Sequence, residues 1–525
     1  MGDFLPLIIE QAADRRPDAE AFRFDGTALS YAELSARSNQ LAQRLVDDGV
    51  GPGDLVGILM GKSLLNPVAV FGIQKAGAAY VPLDPAAPVA RLEAIAGECK
   101  LRHLVTEPDR AAKVTKLARA ASTISHVYGL DSIDADAVAT RTWSDVEQAP
   151  TVDPGIRGRG DDVAYIIFTS GSTGVPKGIA HTHSSGSAYA RMGAELYDLR
   201  PDDRLSNFPP LHFDQSTFDF FSGPLAGATT VIIGGEHQLV PASLSALIEQ
   251  ERLTVWYSVP LALIQLLNYG VLDQRDCSSL RWVIYGGEPF PLKHLKALMD
   301  RWPQARFSNC YGPAETNQCT YHHLAPLTDE AVAADRSVPI GHACPGMQTA
   351  VVDSTGTPLP AGEIGELIVH SPTTMQGYWG RPELDRAAFW HQPGPDGDAT
   401  RWYRTGDLAR IDEAGLLDFM GRRDRQVKVR GVRVELDDVE AAVSTHTAVD
   451  EVAVTAEADD DGVVICAWVR LSAPEATTAD VIRRHAAARL GRAALPDHIT
   501  VVNDFARTTS GKIDYGALRL RGESA

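Results

Sequence analysis

Short apolar runs alternate along this chain with segments whose apolar residues recur at helical spacing. The runs are rich in β-branched and aromatic residues and end at turn-forming residues, which predicts buried strands. Four clear runs lie at 55–60, 164–168, 254–257 and 280–285. Buried strands that alternate with helices predict mostly parallel sheets with helices on both faces, and therefore an α/β fold.

The first long helix is predicted just after Leu29. Ser30 and Glu33 have the spacing of a capping box, in which each side chain binds the other residue's backbone N–H. Leu34 and Leu41 fall near one helical face, and Gly49 stands where a C-terminal cap is expected.

The end of the chain is predicted to form a domain of its own. A β-rich portion around 362–369 belongs to the large part of the chain that precedes this domain. The segment Gly421–Gly431 that follows is rich in arginine and lysine, so the local charge becomes strongly positive. Beyond it lie new strand and helix patterns, at 451–456, 463–469 and 479–490. We place the boundary at Arg423–Arg425, which predicts a large α/β domain over 1–423 and a small α+β domain over 424–525.

Composition narrows the class of protein. With 525 residues, of which 44% are hydrophobic and 22% charged, the chain is expected to be soluble and globular, with two or more domains. The net charge of -19 argues against general nucleic-acid binding. Six scattered cysteines without metal-ligand spacing favour a reducing cytoplasm, and no apolar stretch is long enough to span a membrane.

A predicted strand that runs into a polar loop is the clearest chemical signal. The loop after 164–168 combines hydroxyl groups and glycines, which suit phosphate oxygens, with a lysine. Its members are Thr169, Ser170, Gly171, Ser172, Thr173, Gly174 and Lys177. The spacing differs from that of a P-loop, so a Walker-type nucleotide hydrolase is not expected. A flexible linker is the alternative, but linkers seldom follow directly on a buried strand.

Two other stretches place carboxylates among aromatic and small polar residues. Asp214 follows Phe213, and a carboxylate in such surroundings is costly unless it meets a cation, which a ligand's ammonium group would supply. A helix-capping or surface aspartate is the alternative at this position. Further along, Tyr311 offers an aromatic face to a base, and Glu315 suits a hard cation.

Taken in order, these motifs resemble those of the adenylate-forming superfamily, and within it the amino-acid adenylation enzymes of nonribosomal peptide synthesis. They are the helix opening at Leu29, the turn at 75–85, the loop at 164–178, Phe213-Asp214, Tyr311–Glu315, Thr405–Asp407, Gly421-Arg422 and Gly511-Lys512. The resemblance implies a large domain of several subdomains and a small mobile one. It also implies two half-reactions: ATP with Mg²⁺ converts a substrate carboxylate to an acyl-adenylate, and the phosphopantetheine thiol of a carrier protein then takes the acyl group.

The resemblance assigns roles to the matched residues that handle ATP. The loop from Thr169 to Lys177 would bind the departing phosphates, and Glu315 would hold Mg²⁺. Asp407 would accept the ribose hydroxyls, with Arg422 nearby. The residues around adenine would be Gly286, Gly287, Glu288, Asn309 and Tyr311.

Two matched residues belong to the predicted small domain. Lys512 would bridge the substrate carboxylate and the charge that develops at phosphorus. Asp424 would be the hinge about which the small domain rotates between the two half-reactions.

The resemblance also implies an acyl pocket. Asp214 would bind the α-ammonium group, and Phe213 would gate the thiol tunnel. The other matched positions are Gln215, Phe218, Tyr257, Val283, Tyr285, Cys310, Gln318 and Cys319. Because Phe218, Tyr257 and Tyr285 are bulky, the predicted substrate is a small amino acid: alanine, glycine or serine, with proline and D-alanine next.

The chain departs from the family pattern at two places. Ala314 stands where the family usually has threonine, which removes one hydroxyl contact worth about 1 kcal/mol. No carrier domain follows Lys512, so the chain is expected to load a separate carrier protein.

Two other functions stay open at this stage. A CoA ligase for a small carboxylic acid would share the first half-reaction, but Asp214 argues against it because such a substrate has no ammonium group. A catalytically silent binding module is the second, and the joint presence of Lys177, Glu315, Asp407 and Lys512 argues against that.

Overall fold

A computed structural model of the chain describes residues 3–169, 176–334, 337–393, 399–459, 462–473, 477–507 and 513–522. The chain divides into two compact units. The first comprises Met1–Leu83, Cys99–Ile167 and Gly178–Arg423, and the second comprises Asp84–Glu98, Phe168–Lys177 and Asp424–Ala525.

One sheet of the first unit has a parallel centre and antiparallel edges. Neighbouring strands are parallel from Arg306–Tyr311 to Glu20–Phe24 and antiparallel beyond both. In spatial order the strands are His342–Ala343, Thr320–His323, Arg306–Tyr311, Trp282–Gly286, Val255–Ser258, Arg204–Asn207, Thr229–Ile232, Glu20–Phe24 and Thr27–Ser30. The register pairs Tyr257 with Ile284 and Gly286 with Cys310.

A second sheet contains the strand that leads into the polar loop. Its order is Gly377–Tyr378, Lys177–Thr182, Val163–Thr169, Ala79–Pro82, Leu55–Leu59, His103–Thr106, His126–Tyr128 and Ala139–Arg141. Leu55–Leu59 pairs in parallel with both neighbours, and all its residues are buried, as expected for a strand covered by helices on both faces.

The β-rich portion is an antiparallel sheet. Its path is Gln348–Val352, Ile364–His370, Ala399–Ile411 and Phe389–Pro393, and Leu417–Arg422 pairs with Ala399–Ile411. This last pairing sets Asp407 directly opposite Arg422.

Helices connect the strands of the first unit and cover the sheets. They are Leu7–Arg15, Tyr31–Asp47, Leu65–Lys75, Ala111–Ala120, Trp143–Glu147, His183–Leu196, Gly223–Ala226, Gly235–Leu239, Pro241–Gln250, Pro260–Tyr269, Leu292–Arg301, Asp329–Ala333 and Pro382–Ala388, with a π-helix at Phe218–Ser222. The predicted capping box of Ser30 and Glu33 starts the helix Tyr31–Asp47. Gly49 follows that helix with φ of +88°, a conformation that glycine adopts without strain.

The second unit has small sheets of its own. Gln426–Val429 and Val432–Glu435 form a hairpin, while Val449–Asp459, Gly462–Leu471 and His498–Val501 form a further sheet. Its helices are Val89–Glu98, Leu436–Ser444, Ala479–Ala487 and Tyr515–Gly522. Together with the parallel sheets of the first unit, this confirms the predicted α/β class, with a β-rich portion and a smaller α+β part.

Candidate active site

The carboxyl ends of the parallel strands carry many of the predicted site residues. Gly286 ends the strand Trp282–Gly286, and Tyr311 ends the strand Arg306–Tyr311. In open α/β sheets, ligands bind in the crevice outside these ends, so the fold places the residues where a ligand site is expected.

The Asp407 carboxylate is held from two sides. The Tyr311 hydroxyl donates to Oδ2 and Arg422 Nη1 donates to Oδ1, while the Asp407 backbone N–H donates to Thr405 Oγ1 at 3.0 Å. Burial and the neighbouring Asp407 charge raise the pKa of Tyr311, so its hydroxyl keeps the proton that it donates. A carboxylate can accept about four hydrogen bonds, so Asp407 can serve more donors than these two.

The residues expected around adenine lie on adjacent strands. Asn309 is buried, and its Nδ2 donates to the carbonyl oxygen of Pro339 at 2.9 Å. Gly286 begins the turn to Gly287, which has φ of +96°, and Glu288 is partly buried next to it. The register pairs Tyr285 with Asn309, so the Gly286–Glu288 turn lies beside the end of Arg306–Tyr311.

Glu315 is a fully buried carboxylate fixed by a tyrosine. The Tyr378 hydroxyl donates to its Oε1 at 2.7 Å, and the Met375 N–H donates to its backbone carbonyl at 2.7 Å. On the other side, His181 Nε2 lies 2.9 Å from the Ala314 carbonyl oxygen. Burial lowers the pKa of His181 to about 4, so a neutral ring donates this bond at neutral pH.

A carboxylate is a suitable ligand for Mg²⁺, and the buried Glu315 fits that role. Among the residues that the structure describes, no group of three or more histidine, cysteine or acidic side chains could hold a metal ion. A magnesium ion bound by Glu315 would therefore need further ligands, which nucleotide phosphates can supply.

Thr169 and Lys177, at the two ends of the polar loop, belong to the described residues. Thr169 Oγ1 is buried and has no hydrogen-bond partner within the described ranges. Lys177 Nζ lies 3.8 Å from Glu435 Oε1, within the second unit. The predicted residues Ser170, Gly171, Ser172, Thr173, Gly174 and Lys512 lie outside the described residues. Asp424 is exposed, and its Oδ1 accepts a hydrogen bond from the Gln426 N–H at 3.3 Å.

Several predicted pocket residues meet in one buried cluster, whose predicted members are Phe218, Tyr257, Cys310 and Cys319. The Tyr257 and Phe218 rings contact edge to face at 5.5 Å, and Cys310 Sγ donates to the Tyr257 hydroxyl at 3.2 Å. Gln318 lies beside them and donates through Nε2 to the Tyr197 hydroxyl at 2.9 Å.

Val283 and Tyr285 pack elsewhere. Both belong to another buried cluster, in which the Tyr285 ring lies 4.9 Å from that of Phe290. Successive side chains of a strand point to opposite faces, so Ile284 and Gly286 share the face of Cys310 while Val283 and Tyr285 do not. A Cβ added at Gly286 would lie 2.2 Å from the Cys310 carbonyl oxygen, so this position must stay small.

Phe213, Asp214 and Gln215 form the turn before the π-helix, and all three are partly buried. Thr217 Oγ1 donates to the Asp214 carbonyl oxygen at 2.6 Å, and the Phe213 ring lies 4.9 Å from that of His212. Burial raises the pKa of Tyr165 and Tyr189, and the negative charge of Asp214 adds to the rise in both.

A second carboxyl group lies deeper in the π-helix. Asp219 is fully buried, and Asn207 Nδ2 donates to its Oδ2 at 3.2 Å. Burial raises the pKa of Asp219 well above its usual range, which favours the neutral form. Asp214 is therefore the better counter-charge for a cation in this region.

Sequence reasoning missed several residues of the site. Tyr378 is distant from the recognised motifs. Asp219 and Asn317 lie a few residues beyond Phe213-Asp214 and Tyr311–Glu315, and neither has a distinctive pattern of its own. The sequence contains no pattern that singles out the Tyr378–Glu315 contact, because it joins residues 63 positions apart.

Comparisons with known proteins agree with this layout. A family model described as AMP-binding enzyme matches residues 9–379, and one described as AMP-binding enzyme C-terminal domain matches residues 438–512. In the described part of the chain, none of the helices combines the length and apolar character that a bilayer span requires.

Individual relatives match over nearly the whole chain. The L-proline--[L-prolyl-carrier protein] ligase of Pseudomonas fluorescens is 34% identical over 509 residues, which are 97% of each protein. The dimodular nonribosomal peptide synthase of Bacillus subtilis is 33% identical over 526 residues, and the match covers 98% of this chain but 21% of that protein. The solved structure of amide bond synthetase McbA from Marinactinospora thermotolerans has a TM-score of 0.84 and 27% identity, and the match covers 99% of both chains.

Proposed function

Because this chain belongs to the family of AMP-binding enzymes, we propose that it activates an amino acid with ATP as an aminoacyl-adenylate. It then passes the aminoacyl group to the phosphopantetheine thiol of a carrier protein. The relative named L-proline--[L-prolyl-carrier protein] ligase supports this proposal, since it matches this chain over nearly the full length of both. We place the reaction in the cytoplasm, because each of the six cysteines is a buried thiol, as in a reducing compartment.

The observation that carries the proposal is the position of Asp214. Its carboxylate lies in the turn before the π-helix, where it is partly buried and close enough to Tyr165 and Tyr189 to raise the pKa of both further than burial alone. A cation beside a partly buried carboxylate is favourable, and the α-ammonium group of an amino acid would supply one. A plain carboxylic acid would bring no ammonium group to this carboxylate.

The pocket cluster supports a small side chain on the substrate. Phe218 and Tyr257 are buried and in contact, so their rings fill much of the cluster that we propose as the acyl pocket. Tyr285 does not narrow this cluster, because its side chain packs on the other face of the sheet. Alanine, glycine and serine are therefore the proposed substrates, with proline and D-alanine next; the relative's name adds weight to proline.

In the first half-reaction, a substrate carboxylate oxygen attacks the α-phosphorus of ATP and pyrophosphate leaves. Glu315 would hold Mg²⁺, which when bound neutralises phosphate charge. Asp407, held by Tyr311 and Arg422, would orient the ribose by accepting hydrogen bonds from its hydroxyl groups. Lys177 and Lys512 would stabilise the charge on the phosphates and on the attacking carboxylate.

The small-domain hinge is proposed at Asp424. The exposed position of Asp424 at the start of the second unit's C-terminal stretch supports a hinge there, since an exposed loop residue can change its backbone conformation with little loss of packing. In the second half-reaction the thiol sulfur attacks the acyl carbon, AMP leaves, and a thioester forms.

One experiment tests which molecule accepts the activated aminoacyl group. Purified enzyme would be given ATP, Mg²⁺, a radiolabelled small amino acid and one acceptor at a time: a phosphopantetheine-bearing carrier protein, the same carrier protein without the cofactor, CoA, or a simple amine. We expect label on the carrier protein only when the phosphopantetheine thiol is present. Label on CoA would favour the ligase alternative, and amide formation would favour an activity like that named for McbA.

A further inference from the structure

The proposed hinge residue Asp424 stands between two arginines that are held in different units. Arg423 is the last residue of the first unit, and Arg425 belongs to the C-terminal stretch of the second, Asp424–Ala525. In a hinge, a few residues absorb a large change in φ and ψ while the structure on either side is preserved. The contacts of the two arginines therefore decide how many residues can take part in a rotation.

Arg423 is held in the first unit by its backbone and by its side chain. Its N–H donates to the carbonyl oxygen of Gly406 at 3.1 Å, and its Nη1 donates to Glu366 Oε2 at 2.9 Å. Glu366 is buried and also accepts a hydrogen bond from Arg404 Nη2 at 2.5 Å. Glu366 and Gly406 lie on neighbouring strands of the antiparallel sheet. The chain is thus attached to this sheet up to the residue before Asp424.

Arg425 is held in the second unit by both terminal nitrogens of its guanidinium group. Nη1 donates to Asp437 Oδ1 at 2.6 Å, and Nη2 donates to Glu440 Oε1 at 2.7 Å and to the Val454 carbonyl oxygen. The Tyr515 ring lies 4.1 Å from the guanidinium carbon, and its hydroxyl donates to Glu440 Oε1 at 3.0 Å. These partners lie on two helices and one strand of the C-terminal stretch, so the chain is attached there from Arg425 onward.

We propose that Arg423 and Arg425 are positioning residues, which confine the rotation between the two half-reactions to the backbone of Asp424. The inference rests on the proposed function, because a rotation is required only if two half-reactions share one site. With both neighbours held, the dihedral angles around Asp424 are the ones left to change, since peptide bonds stay planar. The C-terminal stretch can then turn as one body, and a precise end point matters because a misplacement of about 1 Å can cost about 100-fold in rate.

The two arginines differ in whether a lysine could replace them. Arg423 reaches Glu366 through one nitrogen, Nη1, and an ammonium group can make the same contact. Arg425 serves three oxygen acceptors on different elements through two nitrogens, which suits the planar guanidinium group and not a single ammonium. Arg423→Lys should therefore keep the positioning role, and Arg425→Lys should lose it.

The first test compares two activities in the same variants. Loading of the carrier protein needs both orientations in every turnover, whereas amino-acid-dependent ATP–pyrophosphate exchange needs one. In Arg423→Gln and Arg425→Gln we expect loading to fall about tenfold more than exchange, because loading depends on the precision of both orientations. Arg423→Lys should restore the wild-type ratio of loading to exchange, and Arg425→Lys should not.

A distance measurement tests the same inference without turnover. The six native cysteines are buried, so spin labels can be attached to cysteines introduced at exposed positions, by Asp202→Cys in the first unit and Ala488→Cys in the C-terminal stretch. Pulsed electron paramagnetic resonance then gives the distribution of label-to-label distances. In the wild type we expect a narrow distribution whose mean shifts when ATP and Mg²⁺ are added. Arg423→Gln and Arg425→Gln should broaden it, because the rotation then spreads over more residues.

The matched controls are two arginines that form ion pairs but do not flank Asp424. The Arg410 side chain is 44% exposed, against 47% for Arg423. The Arg470 side chain is 34% exposed, against 32% for Arg425. The glutamine variants of Arg410 and Arg470 should keep the wild-type ratio of loading to exchange and the narrow distribution. Thermal unfolding shows whether each variant is folded, and if Arg425→Gln is not, the comparison of Arg423→Gln with Arg423→Lys carries the test.

The possible contrary results have different meanings. Equal loss of loading and exchange in the glutamine variants, with distance distributions as narrow as in the wild type, would overturn the inference and leave both arginines with a structural role. A wild-type distance that stays the same with and without ATP and Mg²⁺ would overturn it as well. Exchange with no amino acid at all would overturn the proposed function and the inference with it.

Discussion

Asp214 is proposed to supply the negative charge that pairs with the substrate ammonium group. Asp214→Asn removes this charge and nearly preserves the shape of the side chain. For Asp214→Asn we expect kcat/KM for the amino acid to fall by about two to three orders of magnitude, with KM for ATP unchanged, because the buried ammonium loses its counter-charge. Amino-acid-dependent ATP–pyrophosphate exchange measures both. Asp202→Asn, at an exposed aspartate, is the control. Wild-type affinity for the amino acid in Asp214→Asn would make Asp214 structural.

Tyr378 positions the carboxylate that is proposed to hold Mg²⁺. Tyr378→Phe removes the hydroxyl that donates to Glu315 Oε1 at 2.7 Å. The carboxylate then loses a hydrogen bond worth about 1 kcal/mol that fixes its orientation. We expect the Mg²⁺ concentration for half-maximal exchange to rise about fivefold, while kcat at saturating Mg²⁺ recovers. Mn²⁺ binding in the presence of ATP, followed by electron paramagnetic resonance, should weaken to the same extent.

The control for Tyr378 is Tyr269→Phe, at a tyrosine that is 65% exposed. A general loss of kcat at every Mg²⁺ concentration, with unchanged Mn²⁺ binding, would contradict a positioning role for Tyr378.

The candidate residues differ in how far the sequence could identify them. Glu315, Tyr311 and Asp407 lie in ordered motifs, and the structure brings Tyr311 and Asp407 into direct contact although 96 positions separate them. Val283 and Tyr285 were assigned from matched positions in a strand, but a shift of one residue moves a side chain to the other face, and motif spacing does not fix that register. The burial of Asn317 and the contact of Tyr378 with Glu315 arise only in the tertiary fold, so local sequence patterns do not indicate them.

At the scale of elements, the strand Lys177–Thr182 and the helix His183–Leu196 carry two fully buried histidines. Burial lowers the pKa of His181 and of His183 to about 4, below the ordinary value near 6.5. Between those values the unfolded chain binds more protons than the folded one, so the free energy of unfolding should rise with pH from about 4 to about 6.5. Each histidine contributes at most about 3 kcal/mol.

Urea unfolding at several pH values across this range checks the histidine prediction. His181→Gln should unfold with a shallower pH dependence than the wild type, and His498→Gln, at an exposed histidine, should not change it. An unaltered pH dependence in His181→Gln would show that the stability change in acid comes from other groups.

Elements with strong local patterns were predictable. The capping box of Ser30 and Glu33 and the strand Leu55–Leu59 lie where the sequence predicts them. The π-helix Phe218–Ser222 was not foreseen, since its aromatic run fits a strand or an ordinary helix equally well. Such π-turns occur often at functional sites, and this one carries the pocket residue Phe218.

At the scale of the whole molecule, the resemblance read from the ordered motifs is confirmed by family membership. No single motif was sufficient, because each short pattern also occurs in loops and turns of other folds. The order of the motifs over nearly the whole chain made the identification specific. The substrate remained open because it depends on which side chains face the pocket.

Lys512 tests the proposed division of labour between the two half-reactions. Lys512→Ala should lower amino-acid-dependent exchange by about two orders of magnitude or more, because the charge that develops at phosphorus loses its stabilising cation. Transfer from chemically prepared aminoacyl-adenylate to the carrier protein should continue at the wild-type rate, since the proposed rotation removes Lys512 from the site in that step. Equal loss of both activities would argue against such a rotation.

The proposed activation of a small amino acid is tested by ATP–pyrophosphate exchange with each proteinogenic amino acid, with D-alanine, and with matched acids that lack the amino group. We predict a maximum at a small amino acid and background exchange with propionate and lactate, because these acids have no ammonium group to pair with the Asp214 carboxylate. Exchange with the acids that lack an amino group, at rates equal to those with amino acids, would contradict the account and move the chain to the carboxylic acid ligases.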